Sequence, residues 1–419
     1  MDRISGLPDE VLVKILSYVP TKVAVSTSIL SKRWEFLWMW LTKLEFGDSR
    51  RYSESEFKSL QCFLNRNLPL HRAPVLESFG LDLGGKYLKP EDIRMWAVVA
   101  VSHYIRELKI SVSHYSDKLN ILPSSLYTCK SLVVLKLNGG ILLDVPRMVC
   151  LPSLRTLELR KLIYAKEGSL QRLLSNCPVL EYLQVALCQL DNMGTFTVIV
   201  PSLQRLSLFI PSIFHLDEVV INASSLEQFV LVDRNYDSHP WLIENTPKLR
   251  RAYIKVESTD LKSLIGSITS VKYLTISTAA MFGEGFIFNH LEDLTLLYAP
   301  EEDLSNLLVR FLNGSPNLQG LKCVSEMNLR LNDENHGMFS WNEPSTVPEC
   351  LLSSLQKFTW SDYLGRPQDR DIAVYILKNA RRLRTAKFVA DTRLVPQLEM
   401  ITESTRSSRA SSTCELHFC

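Results

Sequence analysis

"SLVVLKL" at residues 131–137 returns as "SLRTLEL" at 153–159, and then as "VLEYLQV" (179–185), "SLQRLSL" (202–208) and "SLEQFVL" (225–231). The same phrase continues in "KLRRAYI" (248–254), "SVKYLTI" (270–276), "HLEDLTL" (290–296) and "NLQGLKC" (317–323). Looser copies precede it, "VLESFGL" (75–81) and "YIRELKI" (104–110), and two follow, "SLQKFTW" (354–360) and "RLRTAKF" (382–388). Counted from the first apolar position of each copy, the spacings are 29, 27, 22, 26, 23, 23, 23, 22, 20, 27, 37 and 28 residues. A recurring Leu-x-x-Leu-x-Leu at 20–29 residues is the strand portion of a leucine-rich repeat, and a single interval departs from that window. Alternating side chains of such a strand point into the stack while the intervening ones face out.

Between strands the sequence carries helical patterns with stop signals. "GSLQRLLSNCP" (168–178) and "DLSNLLVRFLNGSP" (303–316) each run apolar at helical spacing and break at Asn or Gly followed by Pro. One unit therefore reads helix, turn, Pro-x-Leu, strand. Such a unit cannot bury its apolar side alone, so neighbours must stack into a repeat solenoid of α/β class.

The interval of 37 residues contains "NDENHGMFSWNEPSTVPECL" (332–351), rich in turn formers and charge, and reads as a loop or a domain boundary. Beyond it the pattern predicts a strand at 355–360, a helix near 369–381, a strand at 383–390, a helix near 394–404 and the alternating "TCELHF" (413–418). That β-α-β-α-β piece is expected to cap the solenoid. The boundaries drawn are 1–47, 75–331 and 339–419.

The first forty-odd residues have a different texture. Pro8, Asp9 and Glu10 suit a first helical turn, and Leu12, Ile15, Leu16 and Val19 share one helical face. Pro20 stops that helix, Thr21 is placed to cap a second through Val25 and Ile29, and Ser31 to cap a third. The third carries Trp34, Leu37, Trp38 and Leu41, and "ILSKRWEFLWMW" (29–40) just before Leu41 holds three of the seven tryptophans. Thirty-five or so residues cannot close a core around that much apolar surface. A partner protein or the adjoining repeats must complete it.

These residues also carry a resemblance. "LPDEVLVKILSYVPTKVAVSTSILSKRW" (7–34) resembles an F-box of the form common in plants, and "VPECLLSSLQKFTWSDYLGRPQDRDIAVYILKNARRLRTAKF" (347–388) resembles the FBD region. With the repeats, the whole chain is similar to plant F-box/FBD/LRR-repeat proteins. One departure is Val23, where the family usually has Asp or Glu. The resemblance implies a non-catalytic adaptor subunit of an SCF-type ubiquitin ligase. Its F-box would dock on a Skp-family adaptor, itself joined to cullin and RING subunits, and its repeats would hold the protein to be ubiquitinated. Carried over at matching positions, the adaptor contacts are Leu7, Pro8, Ile15, Leu16, Leu30, Ser31 and Trp34. Trp38 and Trp40 lie past the motif and are expected to pack against the first repeats. Competing readings are a repeat scaffold that does not engage the adaptor and a co-receptor whose repeats share a small ligand with the target.

Composition bounds the rest. A formal net charge of +2 over 419 residues gives no electrostatic case for nucleic acid. No apolar run approaches the roughly 18 residues of a membrane helix, and the N-terminus lacks the apolar core of a signal peptide. Nine cysteines scattered singly, without C-x-x-C spacing, point to reduced thiols in the cytoplasm or nucleus. There the N-x-S matches at Asn222 and Asn313 would go unused. No catalytic, metal or cofactor motif stands out among the eight histidines. Lys32 and Arg33 read as a solvated face, His336 with Asp333 and Glu334 as loop polarity, and "ESTRSSRASS" (403–412) as a mobile loop.

Overall fold

The structure, a computed structural model, describes residues 4, 6–47, 53–83, 88–112, 119–166, 168–189, 193–257, 261–278, 285–298, 304–325, 341, 343–363, 366–390 and 409–418. The chain forms two compact units, Met1–Ser224 and Ser225–Cys419.

In the first unit, two short helices open the chain, α1 (Asp9–Leu16) and α2 (Thr21–Ser26). Two 3₁₀ turns follow, Thr27–Ile29 and Trp34–Trp40. The expected third α-helix is thus a 3₁₀ segment, which suits a stretch crowded with aromatic residues of modest helix propensity. Longer helices α3 (Glu54–Asn67) and α4 (Pro90–Ser102) and the short α5 (Ser169–Leu174) come later. The strands are β1 (Lys43–Gly47), β2 (Ser78–Leu83), β3 (Glu107–Val112), β4 (Asn120–Ile121), β5 (Val134–Gly139) and β6 (Ile141–Leu143). They continue as β7 (Thr156–Arg160), β8 (Ile163–Tyr164), β9 (Tyr182–Ala186), β10 (Thr195–Ile199), β11 (Arg205–Ile210) and β12 (Glu218–Asn222).

Strands β1, β2, β3, β5, β7, β9 and β11 pair in that order, all parallel, and every copy of the repeated phrase in this unit supplies one of them. The leucine of one repeat lies beside the leucine of the next: Leu108↔Leu135, Leu135↔Leu157, Leu157↔Leu183 and Leu183↔Leu206. All are buried, while the intervening side chains of these strands are exposed or half-buried except Ser207, which is buried. Each fully buried leucine contributes about 1.5–3 kcal/mol of transfer free energy, so the ladder is the core of the unit. Shorter parallel ladders pair β4 with β6, β6 with β8, and β10 with β12.

The ladder begins earlier than the repeat count implies. Strand β1 lies in "LTKLEF" (41–46), inside the segment assigned to the helical module. It ends at Gly47, whose φ of +107° puts an added Cβ 1.9 Å from the Asp82 carbonyl oxygen, a place only glycine can fill.

The second unit contains β13 (Gln228–Asp233), β14 (Trp241–Glu244), β15 (Arg251–Val256), β16 (Tyr273–Thr278), β17 (Asp293–Tyr298) and β18 (Gly320–Ser325). It ends in β19 (Lys357–Tyr363), β20 (Thr385–Ala390) and β21 (Glu415–Phe418). Its helices are α6 (Lys262–Ser267), α7 (Leu304–Gly314), α8 (Glu349–Ser353) and α9 (Pro367–Asn379). Strand β13 pairs with β15, and the ladder runs on in chain order to β21, again all parallel.

The C-terminal piece therefore continues the ladder. Gly320 of β18 pairs with Lys357 of β19, so the 37-residue interval separates two adjacent strands. Aromatic rings take over from leucines at this end: Phe358 packs edge-on to Trp360 and Phe388, and Phe388 stacks on Phe418 at 5.6 Å. Trp360 Nε1 donates to the Tyr298 hydroxyl at 2.9 Å. Arg366, its guanidinium over the Tyr298 ring, pairs at 3.0 Å with the buried carboxylate of Asp369 in the first turn of α9. The helix expected near 394–404 and the group His336, Asp333 and Glu334 lie outside the described residues. Within 403–412, Ser411 is buried and donates to the Leu383 carbonyl at 2.7 Å, so this end of the stretch is anchored.

Candidate functional site

The N-terminal module has an inner and an outer side. Pro8 is the N-cap of α1, just outside the helix, with its carbonyl accepting from the Val11 and Leu12 amides. Asp9 and Glu10 occupy the first turn, where acids complement the helix dipole. Arg33 clasps this end: Nε donates to Asp9 Oδ1 at 2.8 Å, and the guanidinium also donates to the Leu7 carbonyl. Arg33 is thus part of the module's own closure and not merely a solvated charge.

On α1 the apolar residues divide. Leu12 and Leu16 turn inward, Leu16 with only 2% of its surface exposed, and join Ala24, Leu37, Trp38 and Leu41 in the core. Ile15, 44% exposed, and Val19 turn outward, where Val11, Tyr18, Val23, Ile29, Leu30, Phe36 and Trp40 are exposed as well. Ten of the 23 large exposed apolar side chains in the described residues fall between Ile4 and Trp40. That density marks a surface built to be covered, since scattered single apolar residues are the norm elsewhere.

Among the expected adaptor contacts, Pro8, Ile15, Leu30 and Ser31 are exposed, and Leu7 and Trp34 are half-buried. Leu16 is withdrawn into the core, because the α1 face carrying Leu12 packs against the chain itself. The caps differ too. Thr21 is buried in the first turn of α2, and its hydroxyl accepts the Glu45 amide of β1 at 2.9 Å instead of capping its own helix. The Ser31 side chain caps nothing; its carbonyl accepts from the Trp34 amide.

The inner side is closed by the first repeats. Trp38 is buried against Phe63 of α3, with ring centroids 5.3 Å apart, whereas Trp40 stays 47% exposed and joins the outer surface. The Arg72 and Ala73 amides donate to the Met39 carbonyl, and those of Glu77 and Ser78 to Thr42. His71 lies buried at this seam, its Nε2 3.0 Å from the Leu41 carbonyl oxygen and its ring edge-on to His103 at 5.6 Å. Burial, with His103 nearby, pulls the His71 imidazole down to about 4, so it is neutral near pH 7. Neutral Nε2–H then donates to Leu41. The seam fixes the module against the repeats, so the outer apolar side is presented on a rigid base.

Comparison with known proteins matches three parts of the chain. Residues 4–46 fit the F-box domain, residues 93–252 fit the leucine-rich repeats of FBD-associated F-box protein At5g56370, and residues 343–388 fit FBD. FBD-associated F-box protein At4g10400 of Arabidopsis thaliana is 72% identical over 418 residues, covering all of both chains. The chain belongs to the FBD-associated F-box proteins. Other Arabidopsis thaliana relatives are FBD-associated F-box protein At5g38590, 52% identical over 96% of this chain and 98% of its own, and putative F-box/FBD/LRR-repeat protein At4g00315, 41% identical over the full length of both.

The F-box implies a Skp-family partner and the repeats imply a protein target. Sequence reasoning passed over β1, although "LTKLEF" (41–46) repeats the strand phrase of the later units. It also passed over Arg33, which closes the module on itself, and over Thr21 and His71, which tie the module to β1 and the repeats. For these no local signal exists, because their partners lie 24 to 30 residues away in the chain.

Proposed function

We propose that this F-box protein is a substrate-recruiting subunit of an SCF-type ubiquitin ligase. The outer apolar face of α1, α2 and the following turns docks on a Skp-family adaptor, which brings cullin and RING subunits. The repeats hold the protein to be ubiquitinated, and the chain itself contributes no chemistry. The observation that carries this reading is the two-sidedness of the N-terminal module: its inner apolar side is sealed on the repeats, and its outer side still exposes Ile15, Val19, Val23 and Leu30. A module acting only as an end cap for the ladder would need the inner side alone. Val23 fits this view, because its exposed apolar side chain extends the face that a family acid would have interrupted.

The test uses the full chain and a purified Skp-family adaptor. Ile15→Ala with Leu30→Ala removes apolar surface that is exposed, in contrast to the buried Leu16. Adaptor capture should fall at least about tenfold, with the melting temperature unchanged, because centrally buried anchors carry most of an interface's energy. Leu16→Ala serves as the contrast and should cost about 2–5 kcal/mol of fold stability. Wild-type capture by the folded double variant would overturn the ligase reading in favour of a repeat scaffold that engages no adaptor.

A further inference from the structure

The outward faces of the two ladders are charged differently. In the first unit most outward cations of the strands are matched: Lys109 with Glu107 at 3.0 Å, Lys136 with Glu158 at 2.8 Å and Arg160 with Glu158 at 3.1 Å, while Arg205 on β11 lies over the Tyr182 ring instead of an acid. Just before β7, Arg155 pairs with Glu181. At the C-terminal end of the second unit the matching stops. Lys322 on β18, Arg384 just before β20 and Lys387 on β20 are exposed and have no ionic partner among the described residues. Arg384 and Lys387 belong to "KNARRLRTAKF" (378–388), which holds five cations and no acid, inside the stretch matched to FBD.

Register places these charges together. Lys322 lies beside Thr359, Thr359 beside Lys387, and Lys387 beside His417. With strands about 4.8 Å apart, the Lys322 and Lys387 backbones stand roughly 10 Å apart across one threonine. Acids occupy the borders. Asp293 on β17 leans over Gly320, where an added Cβ would lie 2.0 Å from its Oδ1, toward Lys357; Glu415 meets His417 at 3.5 Å on the edge strand. Asp362 sits half-buried in the bulge ending β19.

We infer that the outward face of β18–β20 is a docking surface for an acidic, extended segment of the target protein, its carboxylates spaced to meet Lys322, Arg384 and Lys387 separately. The inference rests on the reading of the repeats as the target-binding part of the chain. Charge complementarity selects the occupant. The Lys322 and Lys387 backbones stand two strands apart with Thr359 between them, a spacing that suits separated carboxylates better than one bidentate phosphate. Nucleic acid fits less well: the outward positions of β18–β20 carry no aromatic side chain to stack a base, and the chain as a whole is only +2.

The experiment is fluorescence anisotropy of the full chain with a labelled alternating Glu-Gly peptide. The variants are Lys322→Gln, Arg384→Gln and Lys387→Gln combined, and a first-unit control of Lys109→Gln with Lys136→Gln. The peptide should bind the wild type and the control alike, weaken with added salt, and bind the triple variant about tenfold or more weakly. Equal binding by the triple variant overturns the inference. So does a labelled single-stranded oligonucleotide of equal charge that binds the wild type more tightly than the peptide. Adaptor capture, measured on the same proteins, should not respond to the triple change. A failed capture experiment would remove the ligase reading while leaving the peptide result to be judged separately.

Discussion

Protonation of His71 should loosen the seam between the F-box and the first repeats. Its imidazole is neutral in the fold because burial pulls it from 6.5 to about 4. When the chain unfolds, the group regains its ordinary affinity for protons. The stabilisation is therefore fully present above pH 6.5 and is lost as pH falls toward 4. At about 1.4 kcal/mol per pH unit, the loss between pH 7 and pH 4 is on the order of 3 kcal/mol, a large share of the 5–15 kcal/mol typical of a folded domain. The assay is urea denaturation followed by circular dichroism at several pH values, for the wild type and for His71→Leu. The substitution also removes the hydrogen bond to the Leu41 carbonyl, at a cost that does not depend on pH. The decisive quantity is thus the difference between the two stability-versus-pH curves. Subtraction also cancels groups with opposite behaviour. Burial raises Asp233 to about 7, so its contribution is present below pH 3.8 and disappears as pH rises through 7. The wild-type curve should drop about 3 kcal/mol more than that of the variant between pH 7 and pH 4. Parallel curves would refute the argument, because His71 would then titrate alike in the folded and unfolded chain and could not be sealed at the seam.

Two further outcomes test the joints of each unit. Thr21→Val keeps the shape of the side chain but leaves the Glu45 amide of β1 without its acceptor, so thermal or urea unfolding should show a loss of about 1–3 kcal/mol, whereas Thr21→Ser should restore most of it. Asp369→Ala strips the Arg366 guanidinium of its buried partner beside Tyr298. Urea unfolding of the full chain should then show a loss of about 3–5 kcal/mol, and a loss near zero would mean that water already compensates the cation.

Much of the fold was legible in the chain because leucine-rich strands advertise themselves locally. Apolar residues at alternating positions, repeated every 20–29 residues, leave no other way to bury their side chains than to stack, and each of the thirteen copies became a ladder strand. Ile15 and Val19 of the outer apolar surface were legible too, as part of one amphipathic helix. Which side of that helix faced inward was not. Leu16 and Ile15 are adjacent and equally apolar, and only the packing of α1 against Leu37, Trp38 and Leu41 buries the first and exposes the second. The same holds for Thr21, whose hydroxyl suits its own helix in isolation and serves β1 in the fold. It holds also for the C-terminal piece, which reads alone as a small cap and in three dimensions continues the ladder at Gly320↔Lys357. Periodicity is a local property, set by the geometry of one strand or one helix turn. The choice between two apolar faces, or between two acceptors for one amide, depends on residues tens of positions apart, and folding alone brings those together.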